Sequence, residues 1–421
     1  MEKSRKTEIT CCKRKRQICA VLVFLLFGYN FLISVYNLAA SEVPFMDFHS
    51  RWQENAYLCL GINPFLVNSS NYIERIGMID SDMATVPYAW LLGGIFNPGI
   101  LSWPIAVCVG IAWIAVAFAG ASTVVYQYWI AHIEKEHKVW ALMAALLVGC
   151  QIYWWWGIAC GNHGVIAACL IIMAICLYQK HPVVSGILMT FAMIKPQLAL
   201  PFFFIFLLEK EYRIIGIALI GGIASMLGTA VMAGSSVWDL IRMIFQTGSS
   251  WSNSFFGLFD IFRFAGVPVG IILLCDMAVG VIYTYILWRI GRKTDNQNVF
   301  VKFSGVAIAS TFWFYKQPHD NIILAVPCIA FLYLACKGTD RRVYLYIFLI
   351  AAIVGSFYIQ GFCQHLLPVE FFSDTMKISA GRTFQAIFLM YIGVKYLRES
   401  NSLKEKNSKV KLQEGEGELN G

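Results

Sequence analysis

Apolar and polar positions fall along this chain in long blocks, not with the period of two that a half-buried strand would show. Apolar runs occupy residues 18–39, 84–97, 100–131, 139–158, 165–178, 183–194, 198–208, 214–232, 264–288, 299–314, 321–336, 343–361 and 380–396. Many approach the roughly 20 residues needed to cross about 30 Å of hydrocarbon. A lone segment at that depth must satisfy its own backbone, which a helix does. The pattern therefore predicts an all-α polytopic membrane protein.

Basic clusters between the runs set the expected sidedness. Lys3, Arg5, Lys6, Lys13, Arg14, Lys15 and Arg16 place the N-terminus in the cytoplasm. The first crossing then leads outward to a polar segment at 41–83, which holds enough apolar residues to predict short helices lying on the membrane surface. Further basic positions at 132–138, 180–181, 209–213, 289–293 and 337–342 return the chain to the inside. The result is about twelve crossings with both termini cytoplasmic. The run at 84–97, ended by Asn97-Pro98-Gly99, is expected to kink or re-enter.

Composition narrows the class further. Hydrophobic residues make up 58% of the 421 and charged ones only 14%, against about 25% charged in a soluble domain. The formal charge of +8 is dispersed in the inter-run clusters, so no basic field for nucleic acid is expected. The 13 cysteines lie mostly inside apolar runs and read as small hydrophobes, not as a disulfide framework. Residues 18–39 are long enough to span and read as a signal anchor. Three parts follow: a basic N-terminus at 1–17, a transmembrane domain at 18–397 and a solvated tail at 398–421.

Polar constellations on the expected outer side carry the candidate chemistry. They are Asp47, within Pro44-Phe45-Met46-Asp47-Phe48-His49; Asn162-His163; Lys195-Pro196-Gln197; and Lys316-Gln317-Pro318-His319-Asp320. Several runs leading to them are too short to cross fully, which predicts a cavity opening outward below the membrane surface. Polar groups at such depth are costly and are functional candidates. Each also has a structural alternative. Lys195 can snorkel, Asn162 and His163 can bond between helices, and Asp320 and Asp47 can cap helices. The run Trp154-Trp155-Trp156 fits an interface belt or a stacking surface. No metal-ligand spacing and no Gly-rich phosphate loop is present, so no metal, cofactor or soluble nucleotide-activated donor is expected.

The segment Pro44-Phe45-Met46-Asp47-Phe48, followed by Tyr57, Leu60 and Gly61-Ile62-Asn63-Pro64-Phe65, resembles the opening of glycosyltransferase family 87 (DUF2029). Phe65 stands where that family usually has Tyr. The turn Gly161-Asn162-His163-Gly164 is similar to a second family element. Ile194-Lys195-Pro196-Gln197-Leu198-Ala199-Leu200-Pro201 is similar to a third, and Pro318-His319-Asp320 to a late His-containing turn. The resemblance implies a GT-C-like bundle that takes a hexose, mannose by analogy, from an outer-leaflet polyprenyl-phosphate donor. The sugar would pass with inversion to an acceptor hydroxyl on a cell-envelope glycan or glycolipid, at the extracytoplasmic face of the plasma membrane.

By the same resemblance Asp47 is the base. Lys195, Gln197, His319, Asn162 and His163 lie on the donor side, and Asn63, Trp52 and Asp320 have acceptor-side or structural roles. The implied partners are the lipid donor, the acceptor and the bilayer, with no nucleic acid and no obligate protein. Two rivals share some of these features. A secondary transporter of a small solute or envelope lipid also has broken helices and polar residues at depth, but the two halves of this chain do not mirror each other. A glycan polymerase or ligase would be expected to carry a larger late outer loop.

Overall fold

The computed structural model describes residues 2–40, 44–79, 86–133, 138–251, 257–294, 298–312, 318–337, 340–356 and 376–395. These residues form an all-α bundle, with no strand among them. Its first half comprises α1 (Glu2–Ala40), α2 (Met46–Cys59), α3 (Pro87–Phe96), α4 (Trp103–His132), α5 (Lys138–Leu147), α6 (Ile152–Cys160), α7 (Gly164–Leu177) and α8 (Pro182–Ala192). Next come α9 (Pro196–Leu208), α10 (Tyr212–Met232), α11 (Val237–Trp251), α12 (Val269–Thr294), α13 (Val299–Ala309), α14 (Ala325–Lys337) and α15 (Asp340–Val354). A last helix, α16, runs over 376–395.

Among the described residues four helical segments are long and apolar enough to cross a membrane: Trp103–His132, Tyr212–Met232, Val269–Lys293 and Asp320–Lys337. The first three turn a broad face outward. On α10 this face is Leu219, Ile220, Ile223, Leu227 and Val231, which fall along one side of the helix. By contrast α7 is apolar all round and buried almost throughout, and α13 and α14 are buried almost throughout as well. A helix hydrophobic on every side belongs inside a bundle. α7 packs on α4 and α8, while α13 packs between α12 and α14.

Inner helices this short do not reach both surfaces. The 14 residues of α7 give a rod of about 21 Å at 1.5 Å per residue. Its two ends carry the polar groups that matter. At the C-terminal end of α7 and α9, Lys302 of α13 is buried and donates to Glu209 Oε2 at 2.9 Å and to the Tyr178 hydroxyl. Trp288 Nε1 donates to the second Glu209 oxygen at 2.7 Å. The N-terminal ends of the same two helices form the candidate site.

Two expectations are corrected by the packing. The run at 139–158 is not one helix. It breaks between α5 and α6, where Trp155 Nε1 donates to the Gly149 carbonyl at 3.1 Å and Asn30 Nδ2 donates to the Cys150 carbonyl. Side chains thus meet carbonyls that the break would leave bare in an apolar setting. The second correction concerns α2, which is inserted into the bundle against α3, α4 and α6, with Phe48 through Leu58 nearly all buried. Its polar residues serve neighbouring backbone: Asn55 Nδ2 donates to Trp90 O at 3.0 Å, and Gln53 Nε2 to Ile76 O at 2.8 Å.

The tryptophan run divides as well. Trp154 is buried against Phe118, Trp155 packs on Phe27 and Phe31, and only Trp156 is exposed. The short α3, over Pro87–Phe96, fits the interrupted segment expected at 84–97.

Candidate functional site

The turn from α6 into α7 organises the site. Gly161 ends α6 with φ of 70°, in the left-handed region that favours glycine. Its N–H bonds Ile158 O at 2.9 Å, and the Asn162 N–H bonds Gly157 O at 2.7 Å. This doubled closure stops a helix and redirects the chain. A Cβ on Gly161 would lie 2.6 Å from the Phe48 ring, so α2 seats its first turn directly on this bend. Phe45, just ahead of α2, fixes the same contact from the backbone, its N–H donating to Ala159 O at 3.0 Å.

The bend presents Asn162 to Asp47. Asn162 Nδ2 donates to Asp47 Oδ2, while Asn162 Oδ1 accepts from the Gly164 N–H at 2.7 Å. The second bond decides which way the amide faces: its oxygen is committed to the helix N-terminus, so its NH₂ must point at the carboxylate. Asp47 has no other hydrogen bond among the described residues. It is half-buried and sits in the first turn of α2.

Lys195 and Asp320 arrive from two other elements. Lys195 caps the N-terminus of α9, where Pro196 starts the helix with its fixed φ and no N–H to satisfy. Asp320 belongs to the 3-10 turn Pro318–Leu324 ahead of α14. Lys195 Nζ donates to Asp320 Oδ1 at 3.1 Å, with Asp320 buried and Lys195 nearly so. Asp320 is thus the partner of a buried cation. A Cβ built on Gly164 would stand 2.8 Å from Asn162 Oδ1, 2.9 Å from Asp320 Oδ1 and 3.7 Å from Lys195 Cε. The groups crowd around the bare N-terminus of α7, whose amide dipoles favour negative charge.

His163 lies beneath them, buried between Phe48 and Phe96, with Nε2 lacking a partner among the described residues. The charges of Arg51 and Lys195 both bear on its ring. Arg51 was not singled out by the sequence. It stands one helical turn after Asp47 and donates from Nη1 to both Glu54 oxygens, at 2.6 and 2.7 Å.

The remaining expected residues divide by location. Gln197 is half-buried in the first turn of α9, near Lys195. Asn63 works as a clasp: its Oδ1 accepts from Phe65 N at 3.0 Å, and its Nδ2 donates to Ser235 Oγ at 2.9 Å. Trp52 is buried and donates from Nε1 to Leu101 O at 2.9 Å. The backbone of His319 lies in the 3-10 turn with Asp320. Its side chain, with Lys316 and Gln317, falls outside the described residues. No group of three His, Cys, Asp or Glu side chains is assembled for a metal among the described residues.

A half-buried carboxylate held by an amide, beside a cation at two helix N-termini, can accept a proton and bind an anion. Comparison with known proteins supplies the class of chemistry. A family model for glycosyltransferase family 87 matches residues 87–318, more than half of the chain, including Asn162, His163, Lys195 and Gln197 but neither Asp47 nor Asp320. No curated protein and no solved structure matches the chain. On the family match, this helical membrane protein belongs to glycosyltransferase family 87.

Proposed function

We propose that the protein transfers a hexose, mannose by family analogy, from a polyprenyl-phosphate donor in the outer leaflet of the plasma membrane to a hydroxyl of an envelope glycan or glycolipid, with inversion at the anomeric carbon. Asp47 takes the proton from the acceptor hydroxyl as its oxygen bonds to the anomeric carbon. The bond from that carbon to the phosphate oxygen breaks, and polyprenyl phosphate leaves with one more negative charge. The proton ends on Asp47, so a single carboxylate suffices and the paired carboxylates of a glycoside hydrolase are not needed.

The observation that carries this reading is the bond from Asn162 to Asp47. It locks one carboxylate oxygen in place at the N-terminus of α7, leaving the other to meet a hydroxyl. The charge that grows on the leaving phosphate is met by the α7 N-terminus and by Lys195. Asp320 accepts from Lys195 Nζ, and an ammonium has three donors. Fixed donors in a site shielded from water stabilise such charge more than they would in water. Gln197, His163 and His319 belong to the donor side in this scheme.

Asp47→Asn tests it, because an amide keeps the shape and loses the proton acceptor. Purified Asp47→Asn should fold and bind the lipid donor, yet transfer sugar roughly 10²-fold more slowly or worse. A transfer rate within about threefold of wild type would leave Asp47 as a structural partner of Asn162 and end this reading.

A further inference from the structure

The face of α2 that carries Asp47 carries two more charged residues. Positions 47, 51 and 54 repeat at the four-then-three spacing that puts side chains in a row along one side of a helix. Asp47 meets the α6–α7 turn through Asn162. One turn on, Arg51 stands partly accessible, its side chain 17% exposed. Glu54 is 1% exposed, and its two oxygens accept from Arg51 Nη1 at 2.6 and 2.7 Å. A carboxylate buried that deeply is costly unless paired, and here the pairing fixes where a guanidinium sits. Arg51 thus follows by one turn the carboxylate that meets the α6–α7 turn, and Lys195 reaches the same turn, its Cε 3.7 Å from the Cβ position of Gly164. Two cations from different helices therefore approach one turn, each paired with a buried acid, Glu54 for Arg51 and Asp320 for Lys195.

A sugar phosphodiester carries one negative charge, whereas the released phosphate monoester carries close to two at neutral pH. A site that stabilises the leaving group must gain contact with charge that the bound donor does not yet have. A second cation, planar and suited to phosphate oxygens, answers that need. We propose that Arg51 is the second phosphate contact of the donor site, directed at the charge that develops on the leaving polyprenyl phosphate, and that Glu54 is its positioning residue. This rests on the donor reading given above.

The test compares two probes that differ by one charge: farnesyl phosphate and its methyl phosphodiester. Each is titrated at pH 8 into the full-length protein in nanodiscs. Wild type should bind the monoester tighter than the diester. Arg51→Ala strands a buried Glu54 and can fail to fold. The double variant Arg51→Met with Glu54→Met instead removes both charges and leaves net charge unchanged. It should lower the monoester-to-diester preference about 10-fold, and Arg51→Lys should lower it by a smaller factor. A preference unchanged in both variants overturns the role of Arg51 while the donor reading stands. Wild type that binds neither probe overturns both together. A merely structural Arg51 would weaken both probes alike and leave the ratio where it was.

Discussion

Gly164→Ala adds one methyl group at the point where the site converges and removes no functional group. Its Cβ would lie 2.8 Å from Asn162 Oδ1 and 2.9 Å from Asp320 Oδ1, both closer than a carbon and an oxygen can rest. Neither oxygen is a loose end. Asn162 Oδ1 accepts from the Gly164 N–H, and Asp320 Oδ1 accepts from Lys195 Nζ. Relief of a few tenths of an ångström at each must tilt the amide away from Asp47 or draw Asp320 away from Lys195. Overpacking of this kind costs about 1–3 kcal/mol, and alanine returns part of it through helix propensity. The effect on rate should be larger, since small misplacements of reacting groups cost up to about 10²-fold. We expect transfer to fall roughly 10–100-fold, with only a modest loss of melting temperature, measured on purified protein with a lipid-linked sugar donor. Gly216→Ala on α10 is the control, because nothing lies within 4 Å of a Cβ there. If Gly164→Ala keeps wild-type rate and melting temperature while Gly216→Ala also does, the groups do not converge on α7 as described.

Two further predictions probe the charges. Asp320→Asn removes the acid from a pair whose side chains are only 14% and 1% exposed. It should cost about 3–5 kcal/mol as an uncompensated cation, while Lys195→Met with Asp320→Leu should regain the melting temperature but not the transfer. His49 on α2 is held neutral by partial burial, its pKa lying below the ordinary 6.5. The unfolded chain therefore takes up this proton first as pH drops below 6.5, and stability falls with it. Thermal melting from pH 7 to pH 5 should show a shallower decline in His49→Phe than in wild type.

Much of this site is legible in the sequence because lipid makes polar residues conspicuous. Asn162, Lys195 and Asp320 each interrupt an apolar block, and the cost of that interruption marks them before any coordinates exist. Asp47 is legible from its place at the end of the first block. Arg51 and Glu54 are not, because they stand in a polar segment where charge is ordinary. Only the insertion of α2 into the bundle reveals that Glu54 is buried. That insertion leaves little trace in hydropathy, since α2 buries Ser50, Gln53, Glu54 and Asn55 as well as Phe48. The break between α5 and α6 is hidden for the opposite reason: Val148-Gly149-Cys150 reads as continuous apolar helix, and the carbonyls freed there are met by Asn30 and Trp155 from elsewhere in the chain. Gly164 is not legible either, because its missing side chain is the space in which three other residues meet.

The buried lysine at the far end of the bundle bears on how the enzyme lives with its lipids. Lys302 ties Tyr178, after α7, to Glu209, after α9, while Lys195, Asn162 and Asp320 gather the opposite ends of the same helices. The two rods are fastened at both ends from within, not by loops at the membrane surface. A thicker or thinner bilayer is accommodated largely by tilt of spanning segments. A pair braced in this way tilts as one body, so the spacing between Asn162 and Lys195 is set by the protein and not by the surrounding membrane.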